Sequence, residues 1–474
     1  MRIRFALLVF ALLTVPTAMI GLAQDGAYLA LLGGRHTVFD ESSDAFTHSI
    51  SGYDESQTAL FEQGDELFDR VYTAESGLGP LFNAVSCGSC HQQDGRGRPP
   101  AGFGETQTGL LIRFALKARN GNQGHSHGNQ HNQQQGNNQN KPVSEPDATY
   151  GGQLQDLALP GVPVEGNIHI TYEEIHGAYA DGTPYTLVMP HYEVVNLGYG
   201  GLDRDITFSP RVANQMTGLG LLEAISESTL FSFADPEDAN QDGISGRPNM
   251  VLDYVTNSLA IGRFGWKSNQ PNLLQQAAGA FNGDMGIMSS LFPNENCTTL
   301  QANCLTAPDG VSSIEISDEE LQAVALYSRS LAVPSRRNTD DPTTQRGETL
   351  FAEARCSACH IPSVDMGGHP TIPQIMPDTI HPYTDLLLHD MGPGLADGQD
   401  NFLATGSEWR TAPLWGIGLF ETVNHHTNYL HDGRARNLEE AILWHDGEAS
   451  ASRTSFLMMS AADREALLAF LRSL

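Results

Sequence analysis

The pentapeptide Cys87-Gly88-Ser89-Cys90-His91 recurs as Cys356-Ser357-Ala358-Cys359-His360, and this pair constrains the chain more than any other feature. Three chemistries use closely spaced thiols. A structural zinc site needs four ligands, usually two Cys-x-x-Cys pairs sharing one ion, whereas here each pair stands alone with a His directly after it. A thioredoxin-type dithiol has no use for that His, and no βαβ pattern surrounds either segment. Haem c accounts for all three residues. Two thiols three apart form thioethers with the two vinyl groups, and the next imidazole falls under the iron as proximal ligand. Both segments therefore read as covalent haem c attachment sites, with His91 and His360 as proximal ligands.

The two remaining cysteines, Cys297 and Cys304 in "NENCTTLQANCL", are the obvious disulfide in an oxidising compartment. Export is also written at the start of the chain. A basic "MRIR", an apolar "FALLVFALLTVPTAMIGL" and small residues before Gln24 predict a cleaved signal peptide over 1–23. After cleavage no later segment resembles a transmembrane helix, so a periplasmic protein free of the membrane is expected. The formal net charge of −30 argues against nucleic acid and anionic lipid surfaces. It suits a basic electron-donor protein, such as a small cytochrome or cupredoxin, although acidity is also a plain solubility trait.

Along the chain, 57–72 carries apolar residues at helical spacing. The stretch 119–147, "RNGNQGHSHGNQHNQQQGNNQNKPVSEPD", has almost no apolar side chains and predicts a disordered surface insert; His125, His127 and His131 within it offer at most weak metal ligands. Short β-like runs occupy 150–210, and helical patterns dominate beyond. Ser317 with Glu320, and Asn437 with Glu440, have capping-box spacing. The polar "PSRRNTDDP" near 334–342 marks a boundary. The fold expected is mainly α, with an N-terminal haem domain over 24–333 and a C-terminal cytochrome c-like haem domain over 334–474, interrupted by irregular and short β insertions. A weak repeat supports two units: Phe82 and Phe351 each precede the first Cys of a motif by five positions, as if on a helix entering the attachment loop.

The segments "GPLFNAVSCGSCHQQDGRGRPP", "GRFGWKSNQPNLLQQAAGAFNGDMGI", "YTDLLLHDMGPGLADG", "WRTAPLWGIG" and "LHDGRARNLEEAILWHDGEA" resemble the dihaem oxidoreductases often labelled "thiol oxidoreductase". That family is a distant relative of the bacterial dihaem cytochrome c peroxidases. The resemblance runs from about residue 45 to the C-terminus. It implies two haems facing a shared interface, one six-coordinate and relaying electrons, the other open to peroxide. It implies a sixth ligand for the second haem on the helix after "HDG", where peroxidases carry Met and the cross-linking relatives carry Tyr. Here His445 stands there, with Met391 in "LLLHDMG" as the rival. A bis-His haem has a lower potential than a His/Met one.

For the first haem, "YGGQLQDLALPGVPVEG" resembles the relatives' Gln-then-Glu segment at a different spacing. It suggests Glu165 as acid/base with Gln153 or Gln155 beside it. His169, His176, His191 or Met189 could instead cap that iron. Arg96 and Arg434 suit haem propionates, or ordinary surface ion pairs. Trp266 is the first choice for an aromatic between the haems, ahead of Trp409, Trp415 and Trp444. Asp238, Asn240 and Asp242 alternate before Gly243 as hard-oxygen ligands for Ca²⁺ do, or as a plain Asx-rich turn does. The function expected is peroxidase-like, with electrons passing from the C-terminal haem to a catalytic N-terminal one. The alternatives are a dihaem electron carrier with no open haem, or a dihaem oxidase of a protein or small molecule.

Overall fold

Six helices position the rest of the chain: α1 (Glu55–Asp69), α2 (Leu273–Met285), α3 (Asp318–Ser330), α4 (Pro342–Glu353), α5 (Leu438–Trp444) and α6 (Ala461–Ser473). Their starts are set by side chains that satisfy otherwise orphaned amides. Asp54 and Ser317 each close a reciprocal capping box, the latter with Glu320 as expected. Asn272 and Asn437 each accept from the amide three residues on. At α5 only half the expected box forms, because Glu440 turns back to the Arg436 guanidinium, 2.8 Å away.

The computed structural model describes residues 30–117, 145–307 and 314–474. The expected signal peptide lies outside the described residues, as does most of the 119–147 insert, including His125, His127 and His131. Among the described residues no helix is long and apolar enough to cross a membrane.

The mainly α expectation fails: of the described residues 29% are helical and 19% lie in strands. The helical patterns read beyond 211 are real but short, the longest being the 13 residues of α2, α3 and α6. The β-like runs, in turn, lengthen into full strands. Strands β1 (Leu110–Leu116) and β4 (Ile206–Val212) pair antiparallel, and β2 (Asn167–Ala178) and β3 (Pro184–Val195) form a hairpin with Thr171 opposite His191. All sheets among the described residues are two-stranded.

A repeat deeper than the cysteine motifs organises these pieces. The α1 segment Gly64-Asp65-Glu66-Leu67-Phe68 matches Gly347-Glu348-Thr349-Leu350-Phe351 of α4. In both, the glycine lets the helix lie against the backbone of a partner helix. A Cβ on Gly64 would collide with the Ala323 carbonyl of α3, and one on Gly347 with the Ala466 carbonyl of α6. The phenylalanines one turn on then meet Tyr327 of α3 at 5.3 Å and Phe470 of α6 at 5.2 Å, centroid to centroid. A second matched segment completes each unit. Gly218-Leu219-Gly220 and Gly416-Ile417-Gly418 start with glycines at φ 70° and 76°. Gly218 and Gly416 donate their amides to the carbonyls of Leu331 and Leu474, at 2.9 and 2.7 Å. Gly220 and Gly418 approach the backbones of Arg329 and Arg472.

The main apolar core draws Phe46, Leu221 and Val333 together with Phe351, Trp415 and Phe470, so residues before and after 334 share one interior. Substituting alanine for Gly347 is expected to destabilise the protein by about 3 kcal/mol, because neither backbone can retreat without opening the Phe351–Phe470 contact. Denaturant unfolding of the variant checks this; an unchanged midpoint would mean that the helix crossing is looser than described.

Candidate functional site

Each attachment motif follows its unit's first helix and turns its thiols and imidazole toward one continuous cavity. The cavity has a volume of about 430 Å³ and is walled by Cys87, Cys90, His91, Cys356, Cys359 and His360, among others. Phe68 stands 6.0 Å from the His91 ring, and Phe351 stands 6.4 Å from that of His360. This corrects the expectation for Phe82, which lies on a two-residue strand, Leu81–Phe82, not on an entering helix. Phe68 takes its place because an extra loop separates α1 from its cysteines.

The imidazoles are held alike. Nδ1 of His91 is 3.2 Å from the Gly95 carbonyl, and Nδ1 of His360 is 2.9 Å from that of Tyr383. A donor bond at Nδ1 fixes the tautomer and frees Nε2 for a metal. Burial lowers both imidazoles' pKa, that of His360 to about 4, which keeps the neutral, ligating form. His445 is built the same way, with Nδ1 2.6 Å from the Ala441 carbonyl, and burial lowers its pKa too.

The decisive distance is between His360 and His445, whose ring centroids lie 6.5 Å apart. Two imidazoles on opposite sides of one metal ion, with bonds of about 2 Å each, stand roughly 6 Å apart. The spacing therefore fits a haem iron between them. A family model described as "Di-haem oxidoreductase, putative peroxidase" matches residues 28–474. The chain belongs to this di-haem oxidoreductase family. No curated protein and no solved structure matches the chain. Membership implies two haems, and the two motifs with their shared cavity are the parts of this chain that fit them.

The unit repeat compares the two sites residue by residue. Asn437-Leu438 caps α5, and Asn272-Leu273 caps α2 in the same place. Counting on, Ala441, Ile442 and His445 correspond to Gln276, Ala277 and Ala280, and all six line the cavity. The second site thus presents an imidazole where the first presents a methyl group. Asp284, one turn beyond Ala280, lines the cavity as well.

Other expected residues divide into those on the wall and those behind it. Arg96, Trp266 and Met391 are on it. The Trp266 indole donates to the Val212 carbonyl at 2.7 Å, and the Arg96 guanidinium lies 5.6 Å from its ring. Trp409 is also on the wall, stacked on His431 at 3.8 Å, whereas Trp415 and Trp444 are not among the wall residues. Arg434 pairs with Asp432 at 2.8 Å and packs on Trp444, outside the wall. His169, His176 and His191 belong to the β2–β3 hairpin, where each faces a glutamate of the same hairpin, and Met189 contacts Arg434.

Gln153 and Glu165 lie behind the wall. Both oxygens of Glu165 accept bonds at 2.6 Å, from the Gln155 amide and from Gln301. Gln301 belongs to the short loop closed by the Cys297–Cys304 disulfide. In the Asp238–Asp242 turn, Asp238 accepts from the amides of Asp242 and Gly243, and Asp242 pairs with Arg355 at 2.7 Å. Arg355 directly precedes the second attachment motif, so the turn's carboxylates already have partners that anchor it. Sequence reading missed His389, which lines the cavity beside Cys359 between Asp385 at 2.9 Å and Glu448 at 2.7 Å. The carboxylates raise its pKa well above the usual value although burial opposes them.

Burial pushes the carboxyls of Asp156, Asp94 and Glu165 up to about 6, about 7 and about 8. Between the ordinary carboxylate range and those values the native state keeps protons that the unfolded chain releases. Stability from these groups is therefore full at low pH and falls as pH rises across about 4 to 8. The holoprotein is expected to melt lower at about pH 8 than at about pH 5, with Glu165→Gln flattening part of the slope. A melting temperature that rises over this interval would contradict these assignments.

Proposed function

We propose that the protein is a periplasmic dihaem c-type peroxidase, carrying both haems by thioethers to Cys87/Cys90 and Cys356/Cys359. The observation that carries this reading is the contrast between His445 and Ala280 at matched positions of the two units. His445 closes the second site, with His360 opposite, and leaves it able only to pass electrons. Ala280 leaves the first site with His91 on one side and room for a small oxidant on the other. When bound, the haems would supply the electrons that reduce hydrogen peroxide.

The protein's own residues do the rest. Phe68 and Phe351 pack beside the two proximal rings, and the Gly95 and Tyr383 carbonyls orient them. Trp266 and Trp409 stand on the wall of the cavity that connects the units, where an aromatic can shorten the path between haems. Arg96 offers a cation to a propionate, a use that Arg434, already paired with Asp432, does not share. The haem held by His360 would take electrons from an external donor and the one held by His91 would spend them, since Ala280 leaves the latter site an open side. The negative charge of the chain suits a basic donor protein. Calcium has no part in this reading, because Arg355 already occupies Asp242.

The test is peroxide consumption by the holoprotein with a reduced small cytochrome or cupredoxin as donor. The reading expects two donor molecules oxidised per peroxide. An electron carrier with both irons six-coordinate, its first iron closed by a wall residue such as Met216, Met285 or His431, would consume none.

A further inference from the structure

The acid/base group expected at the first site, Glu165, sits behind the cavity wall, yet that wall carries another carboxyl. Asp284 projects from the face of α2 that holds Ala280, one turn on, and lines the cavity. Gln153 grips it: the amide nitrogen lies 2.9 Å from Oδ1 of Asp284, 2.8 Å from Oδ1 of Asn83 and 3.0 Å from the Gly283 carbonyl. Gln155 adds a bond of 2.9 Å to the Gly283 carbonyl. The carboxyl is thus anchored through one oxygen and reachable from the cavity. In the second unit the same count reaches Ala449, and the neighbouring wall carboxyl, Glu448, is already bound to His389 at 2.7 Å.

Resting on the peroxidase reading, we propose that Asp284, positioned by Gln153, is the group that moves a proton between the two oxygens of hydrogen peroxide at the first site. It takes the proton from the oxygen turned toward the iron side and returns it to the outer oxygen. The O–O bond then breaks and the outer oxygen leaves as water. The overall conversion takes one peroxide, two electrons from the donor protein and two solvent protons to two waters. The proton carried by Asp284 is borrowed and returned within it.

The surroundings suit this task. Burial raises the pKa of Asp284, while the Gln153 bond and the charge of Arg113 on β1 oppose the rise. Asp156 reaches the same group of side chains through Asn83, at 2.9 Å. Cys87 and Cys90 face Asp284 from the attachment loop; as thioethers they carry no charge. Arg113 is therefore the charged neighbour that acts on it directly.

Cyanide binding to the ferric holoprotein tests the proposal without turnover, because hydrogen cyanide must lose a proton to a nearby base as it binds. In the unsubstituted protein the binding rate is expected to rise with pH through a single inflexion. Asp284→Asn should remove that inflexion, slow cyanide binding and slow the reaction with peroxide on the order of 100-fold. Asp284→Glu should keep the inflexion at a shifted pH, and the haem absorbance of each variant verifies that it has folded and loaded. Carbon monoxide binding by the reduced Asp284→Asn variant shows separately whether the first site is open. An open site with unchanged cyanide and peroxide kinetics overturns the role of Asp284 alone. Loss of the inflexion in Glu165→Gln in place of Asp284→Asn overturns it too. Failure of the unsubstituted protein to bind carbon monoxide removes the peroxidase reading itself.

Discussion

Replacing His445 with alanine is expected to open the second site and double the number of carbon monoxide molecules bound by the reduced protein, from one to two per chain. The expectation follows from the 6.5 Å between the His360 and His445 rings and from the bond between His445 and the Ala441 carbonyl. Together they leave the His445 Nε2 as the nitrogen available to an iron. In the proposed bis-His site, loss of that ligand would leave the iron a single protein ligand. Replacement by methionine should restore six coordinates at a higher potential. Met391 is the one other candidate proposed for this iron. If Met391→Ala opens the site and His445→Ala leaves carbon monoxide binding unchanged, the ligand assignment passes to Met391.

The converse substitution, Ala280→His, should have an effect at least as large. It places in α2 the imidazole that α5 already carries at the matched position. An iron at the first site would then be held from both sides, by His91 and by the introduced imidazole. The expected result is loss of carbon monoxide binding and a fall in peroxide turnover of at least about 100-fold, equivalent to about 3 kcal/mol of barrier. Haem content should be unchanged, since the proposed attachment cysteines are untouched. Retained turnover in a variant with full haem content would show that the open side lies elsewhere than under Ala280.

Much of this site is legible in the amino-acid sequence. Cys-x-x-Cys-His has so few chemical meanings that spacing alone names Cys87, Cys90, His91, Cys356, Cys359 and His360, and all of them meet at one cavity. The caps at Ser317 and Asn437 are readable for the same reason, since a side chain three residues from an orphaned amide has one obvious use. The fold class is misread because periodicity reports the kind of element and not how much chain it occupies. The α patterns are short, and β2 and β3, which read as fragments, are twelve residues each.

The distal residues are harder, because what places them is tertiary. Glu165 carries the chemistry of an acid/base but is turned toward Gln155 and Gln301. The segment containing it gives no sign of which way it faces. The signal for Ala280 and Asp284 is nevertheless in the chain. Aligning Gly64–Phe68 with Gly347–Phe351, and Asn272-Leu273 with Asn437-Leu438, pairs His445 with Ala280 from residue order alone. The shorter match between Phe82 and Phe351 conceals it, because a loop inserted after α1 puts the two units out of step just before the cysteines.

In the proposed arrangement one iron is closed by two imidazoles and the other is open. Electron paramagnetic resonance of the ferric holoprotein, at rest and after one electron per molecule, addresses it directly, followed by addition of hydrogen peroxide. One low-spin signal from the His360/His445 site is expected, with one high-spin signal from the His91 site that disappears with peroxide. Two low-spin signals that ignore peroxide in every redox state would contradict it.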